Sequence, residues 1–139
     1  MTTKSICTIL SIAILGAALA VAADSKKTPV DASKLPPPSD RKDVTYEKDI
    51  RPIFEKNCFK CHGPEKQKGD LRLDSLKATL AGGEYGEVIV PNKSAESKLV
   101  IAVAHLGDED DFMPPPEKAK PLTAEQVGLI RAWIDQGAK

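Results

Sequence analysis

Beyond residue 23, every cysteine of this chain lies in one five-residue segment, Cys58-Phe-Lys-Cys61-His62. This segment matters because aromatic residues make up only 4% of the 139 residues. Large rings normally supply much of the buried area of a small domain. A domain with so few must gain buried area from aliphatic side chains, disulfides, a metal or a cofactor. The cysteine segment therefore constrains the fold more than any other feature.

Two cysteines separated by two residues and followed by a histidine are typical of covalent haem attachment. Each thiol adds to one vinyl group of the porphyrin, and two intervening residues let one turn of chain span the two vinyls. His62 then lies beneath the ring, where its imidazole can bond the iron. We expect one haem c, with Cys58 and Cys61 as thioether positions and His62 as the proximal ligand.

Other uses of the cysteine pair stay open at the level of sequence. A zinc site needs four nitrogen or sulfur ligands, and outside the segment the chain offers only His105 as a histidine. A thioredoxin-like pair should open a helix after a strand, whereas this pair follows a predicted helix. A plain disulfide is compatible with an exported protein. Predicted export and the absence of other cysteines in the mature chain favour haem.

The second axial position of the iron has two candidates in the mature chain, Met113 and His105. Met113 precedes a run of prolines over residues 114–116, which stiffens its loop and holds the thioether at a fixed reach. His105 lies near a predicted helix end, where a solvated or capping histidine is the ordinary expectation. The sequence favours Met113, with His105 or an open iron as alternatives. Thioether ligation raises the reduction potential relative to ligation by two histidines.

The first 43 residues are predicted to lie outside the folded domain, which covers residues 44–139. Lys4 and an apolar run that ends in small residues are typical of a secretory signal over residues 1–23. An uncleaved membrane anchor is the alternative, because about 18 apolar residues can span a bilayer. Residues 24–43 are rich in proline and charge and predict a solvated flexible linker. We expect export to the periplasm or an equivalent compartment.

Hydrophobic spacing and capping residues predict an all-α domain. Helices are expected over residues 49–57, 74–80, 95–105 and from 124 onward, with Asp49, Asp74, Ser94 and Thr123 as their caps. Gln126 completes a capping box with Thr123. The segments 71–73 and 88–90 alternate like short strands, so the sequence allows at most one two-stranded ribbon.

Together these residues resemble class I c-type cytochromes, and more narrowly the planctomycete-type cytochrome c domain. The resemblance covers residues 44–138 and runs through the segments DIRPIF (49–54), CFKCHGP (58–64), GDLRLD (69–74), MPP (113–115) and WIDQGA (133–138). It implies a cytochrome c-like helical domain around one covalently attached haem, with Met113 as the distal ligand. It also implies that the first and last helices cross, which brings Phe54 near Ile130 and Trp133.

The predicted function is one-electron transfer between unidentified redox proteins, rather than enzymatic catalysis. The 20 basic and 20 acidic residues balance, which argues against a nucleic-acid partner. A membrane tether is expected only if the leader is retained.

Arg72 is a candidate contact for a haem propionate, with a solvated arginine as the alternative. Two other functions stay open: a haem peroxidase or gas sensor with an open or displaceable sixth ligand, and a non-redox interaction module.

Overall fold

The computed structural model describes residues 30–139, so the predicted signal sequence and the start of the predicted linker lie outside the described residues. Within this range a π-helical turn, Tyr46–Ile50, leads into the first α-helix. The α-helices are α1 (Arg51–Asn57), α2 (Phe59–His62), α3 (Leu76–Ala81), α4 (Lys98–Val103) and α5 (Ala124–Asp135). None of these described helices combines the length and the apolar character needed to cross a bilayer.

The all-α fold class is confirmed for residues 30–139, and the two-stranded ribbon does not form there. The backbone groups that a ribbon would pair bond elsewhere. The Leu73 amide donates to the His62 carbonyl at 2.8 Å, and the Val90 amide donates to the Ser97 hydroxyl at 2.9 Å. The polar groups of the two segments bond to helices and turns instead of to the other segment.

The first helical segment begins earlier than the sequence predicts, and Asp49 is not its cap. Thr45 precedes the π-helical turn, and its backbone N–H donates to Asp49 Oδ2 at 2.8 Å. Arg41 donates to the other carboxylate oxygen. The Thr45 N–H bond, aided by Arg41, lowers the pKa of Asp49 below its ordinary value. The carboxylate therefore reaches back from within the turn and stabilises its start.

The helices α3 and α4 also start at residues other than the predicted caps. Ser75 caps α3 by accepting a hydrogen bond from the first turn, whereas the carboxylate of Asp74 pairs with Arg72. Ser94 opens a short 3₁₀ turn before α4, and both its amide and its hydroxyl donate to Asp135 in α5, at 2.8 and 2.9 Å. Ser94 therefore joins two elements of the fold and does not cap a long helix.

The last helix agrees closely with the sequence prediction. Thr123 Oγ1 accepts from the Gln126 amide at 3.2 Å, and Gln126 Oε1 accepts from the Thr123 amide at 2.9 Å, which confirms the capping box. The predicted apolar stripe of α5 is fully covered and consists of Val127, Ile130, Trp133 and Ile134.

The core forms between α5 and the segment around α1. Trp133, Tyr46 and Phe54 are fully buried, and the Tyr46 ring centroid lies 5.9 Å from that of Trp133 and 6.3 Å from that of Phe54. Aliphatic side chains complete the cluster, with Ile50, Val100 and Ile130 among the most buried. Half-buried side chains that pack against it include Cys58, Phe59 and Met113. The three rings are therefore concentrated at one place, where they contribute most to stability.

Part of the predicted linker lies along the domain. Leu35 is buried in the core cluster, and the Ser39 amide donates to the Gly128 carbonyl of α5 at 2.9 Å. Arg131 of α5 donates to the Pro36 carbonyl. Residues 35–39 are thus an ordered strap on α5, which differs from the expected solvated linker. The proline-rich composition hid this because one buried leucine and backbone hydrogen bonds hold the segment.

Candidate functional site

The segment Cys58–His62, here called the attachment segment, carries both cysteines and the histidine on one helical turn, the attachment turn. The Cys58 carbonyl accepts hydrogen bonds from the amides of Cys61, at 3.0 Å, and of His62, at 2.8 Å. The Cys58 amide in turn donates to the carbonyl of Phe54 at the end of α1, at 2.7 Å. Both thiols are free and half-buried. The end of α1 therefore fixes where the turn begins, and the turn presents two thiols and an imidazole together.

Gly63 directly follows this turn, and sequence reasoning missed that only glycine fits at this position. A Cβ added at this buried position would lie 2.4 Å from the carbonyl oxygen of Phe59. No other residue fits without moving the backbone of the attachment turn. The amide of Gly63 donates to the Lys66 carbonyl at 2.9 Å, which turns the chain away from α2. A glycine after the histidine was the available signal in the sequence.

Burial shifts the pKa values of Cys58 and His62 in opposite directions. It raises the pKa of the Cys58 thiol to about 12, with the neighbouring Cys61 adding to the shift, so this sulfur stays protonated near neutral pH. Burial lowers the pKa of His62, and nearby carbonyls of Leu71 and Lys68 oppose that shift. The lowered pKa favours the neutral imidazole, which is the form in which histidine binds a metal.

The donor set of the turn fits a covalently attached haem. His62 Nδ1 is buried and has no hydrogen-bond partner, which is unusual for a buried polar atom. The turn also offers two thiols that form no disulfide. Residues 30–139 contain no cluster of three or more histidine, cysteine or acidic side chains arranged to hold a metal ion. Two thioether positions and one neutral imidazole match haem attachment followed by iron ligation.

Met113 lies in a loop that is fastened to the end of α4. Its amide donates to the carbonyl of Ala102 at 3.0 Å, and its side chain packs half-buried against the core cluster. Cys58 packs against the same cluster from the attachment turn. Both predicted ligand-bearing segments thus pack against one core. Backbone hydrogen bonds hold each segment in place.

His105, the alternative distal ligand, is engaged within the protein. Its Nε2 lies 3.1 Å from the carbonyl oxygen of Pro114, and its ring stacks on Phe112 with centroids 4.7 Å apart. A carbonyl oxygen only accepts, so Nε2 carries the proton and is not free to bond iron through its lone pair. The choice of Met113 over His105 as distal ligand stays a prediction.

Arg72, the candidate propionate contact, forms a bidentate ion pair. Its Nε and Nη2 donate to the two carboxylate oxygens of Asp74 at 2.9 and 2.7 Å. This pairing lowers the pKa of Asp74. The arginine side chain is still 41% exposed. Two of its donor groups are already used, so a propionate would have to bind through the remaining N–H groups or displace Asp74.

Comparison with known families identifies the region that contains this site. Residues 58–117 match the family model described as Planctomycete cytochrome C. The matched range begins at Cys58 and includes Met113. Among curated proteins and among solved structures, none matches the chain at a significant level.

Proposed function

We propose that this chain, whose residues 58–117 match the Planctomycete cytochrome C family model, is a mono-haem electron carrier. In this proposal Cys58 and Cys61 hold the haem through thioether bonds, His62 is the proximal ligand and Met113 the distal ligand. The observation that carries it is the single helical turn that bears two free thiols and an imidazole whose buried Nδ1 has no hydrogen-bond partner. The bound haem would supply the one-electron chemistry.

The protein's own residues provide the attachment, the ligands and the rigidity. The α1–α2 backbone fixes the turn that carries the thiols, and the hydrogen bond between Leu73 and His62 anchors its last residue. The Met113 amide is held by Ala102 on the other segment. Because both segments are anchored, His62 and Met113 would keep their positions in either oxidation state of a bound haem, and little rearrangement of the protein would accompany electron transfer. Histidine–methionine ligation favours a high potential.

Export and the redox partners belong to the same proposal. The leader composition supports delivery to an extracytoplasmic compartment, where haem c is attached and where the protein would meet its donor and acceptor. The partners would be other redox proteins that dock transiently. A retained leader would tether the carrier to the membrane, and cleavage would release it.

The decisive experiment is maturation of the full chain in an export-competent host that attaches haem c. Intact mass spectrometry after acid extraction of loose haem should show one haem per chain, and the Cys58→Ala/Cys61→Ala double variant should show none. Oxidised and reduced optical spectra should report a low-spin six-coordinate iron. A folded chain without a haem adduct would contradict the proposal, and rapid carbon monoxide binding by ferrous wild type would instead favour a sensor or peroxidase.

A further inference from the structure

We propose that His105 is a positioning residue that holds the Met113 loop at the distance needed for iron ligation. The inference rests on the proposed function, in which Met113 is the distal ligand. It gives His105 a role other than that of alternative ligand, because the imidazole acts on Met113 through the two residues that flank it in the loop.

The backbone at His105 adopts a conformation in which glycine is the usual residue. His105 follows the C-cap of α4 and has a φ of +52°, in the left-handed region. Its amide donates to Ala102 and the next amide, of Leu106, donates to Ile101. These two bonds form the Schellman motif, whose left-handed position is most often glycine. Histidine tolerates this conformation better than most residues do, but its presence suggests that the ring has a use.

The imidazole contacts both neighbours of Met113. It stacks on Phe112, with ring planes 13° from parallel and centroids 4.7 Å apart. Its Nε2 donates to the Pro114 carbonyl at 3.1 Å. These two contacts lie immediately before and after Met113 in the chain. The ring therefore restrains the loop on both sides of the thioether-bearing residue.

A third contact with the Met113 loop comes from the C-terminal end of α4. The Ala102 carbonyl accepts from the amide of Met113, at 3.0 Å, as well as from the amide of His105, at 3.1 Å. The C-terminus of α4 thus holds Met113 by its backbone and holds the adjoining residues through one imidazole. A loop restrained in this way loses little entropy when its thioether binds iron. Removal of the ring leaves the Ala102 bond alone and increases the fraction of molecules with Met113 displaced.

The sharpest variant is His105→Gly in the haem-loaded protein. Glycine suits the left-handed backbone at least as well as histidine does, so the helix end should fold normally while the ring contacts are lost. His105→Gln keeps a side-chain N–H donor without the stacking ring. Asp110→Asn is the control, because Asp110 is an exposed residue in the 3₁₀ turn Glu109–Asp111 that precedes Met113. Met113→Ala sets the value for full loss of the thioether ligand.

The readouts are carbon monoxide affinity of the ferrous protein, the optical signature of methionine ligation in the ferric protein, and hydrogen exchange of the Met113 amide. Carbon monoxide affinity rises in proportion to the population with the ligand displaced. We expect His105→Gly to raise it at least about tenfold and to speed Met113 amide exchange, with a thermal midpoint near wild type. The glutamine variant should lie between glycine and wild type, and Asp110→Asn should match wild type.

The outcomes separate this inference from the proposal it rests on. If Met113→Ala leaves carbon monoxide affinity at the wild-type value, Met113 is not the distal ligand and the proposed function fails at that point. If Met113→Ala opens the iron while His105→Gly behaves like wild type, the positioning role is overturned and the distal ligand stands. A change confined to the thermal midpoint also overturns it. Glutamine and glycine variants with equal values would contradict the hydrogen bond to Pro114 as a holding contact.

Discussion

The hydroxyl of Tyr46 donates a hydrogen bond to the carbonyl oxygen of Leu73 at 2.7 Å in the buried interior. The amide of the same Leu73 donates to the carbonyl of His62 at 2.8 Å. One extended residue therefore links the aromatic core to the last residue of the attachment turn. Burial is the main cause of the raised pKa of Tyr46, so this phenol remains a donor across the neutral range.

The first prediction removes that donor. Tyr46→Phe should lower the free energy of unfolding by about 1–3 kcal/mol, because it leaves the buried Leu73 carbonyl without its partner. Tyr85→Phe is a matched control, since the Tyr85 side chain is 81% exposed. Chemical denaturation of both haem-loaded variants measures the difference. Equal stabilities would show that the Tyr46–Leu73 hydrogen bond contributes nothing measurable.

A second prediction concerns the distal ligand. If Met113 is the distal ligand, as proposed, Met113→Ala should lower the reduction potential and let carbon monoxide bind the ferrous iron, because a thioether ligand stabilises the reduced state and blocks the sixth position. Leu76→Ala is the control, since Leu76 is another half-buried side chain against the same core cluster and its loss leaves a comparable gap. Spectroelectrochemical titration checks the potential. A potential unchanged from wild type in Met113→Ala would remove Met113 from the ligand set.

The elements that sequence predicts well are those whose determinants are local. The capping box of Thr123 and Gln126 and the apolar spacing that includes Trp133 lie within one helix, so α5 could be located to within a residue or two. The turn that carries Cys58, Cys61 and His62 likewise depends on five consecutive residues, and haem attachment there stays a prediction. The resemblance to the planctomycete-type cytochrome c domain is also recognisable from the sequence, and residues 58–117 match the model of that family.

What sequence could not supply is the set of partners that lie far along the chain. Ser94 was expected to cap a helix, but its partner Asp135 lies 41 residues away. The strap was expected to be solvated, although Ser39 bonds to Gly128. The contact of His105 with Pro114 depends on how the intervening loop folds back. In each case a polar group was free to bond locally or at a distance, and only the fold decides.

A third prediction follows from the lowered pKa of Asp49. The charged carboxylate accepts from the Thr45 amide and pairs with Arg41, so it contributes stability above its unfolded pKa, near 3.8. That contribution is lost as the pH falls through the lower folded pKa. Asp49→Asn should therefore be less stable than wild type by about 1 kcal/mol at pH 7. The gap should close as the pH falls below 3.8.

Denaturant titrations at a series of pH values between neutral and strongly acid test this. The matched control is Asp70→Asn, an exposed carboxyl whose replacement should leave the pH dependence of stability unchanged. A stability gap between Asp49→Asn and wild type that persists unchanged at acid pH would show that the amide perturbs packing. The charge of Asp49 would then not be what stabilises the start of the π-helical turn.

The last prediction concerns the strap. The sign of the change in the free energy of unfolding tests whether the strap rests on α5. Glycine within a helix costs about 1 kcal/mol relative to alanine, so Gly128→Ala in an isolated α5 would be stabilising. In the folded protein an added Cβ would lie 2.7 Å from the Pro37 carbonyl oxygen. The strap must then move and weaken the bond from Ser39, so we expect Gly128→Ala to lower the free energy of unfolding by about 1–2 kcal/mol.

Glu125→Ala, on an exposed position of the same helix, is the control. Limited proteolysis within residues 35–41 should accelerate in Gly128→Ala alone; a stabilised variant with unchanged proteolysis would mean that these residues do not rest on α5 in solution.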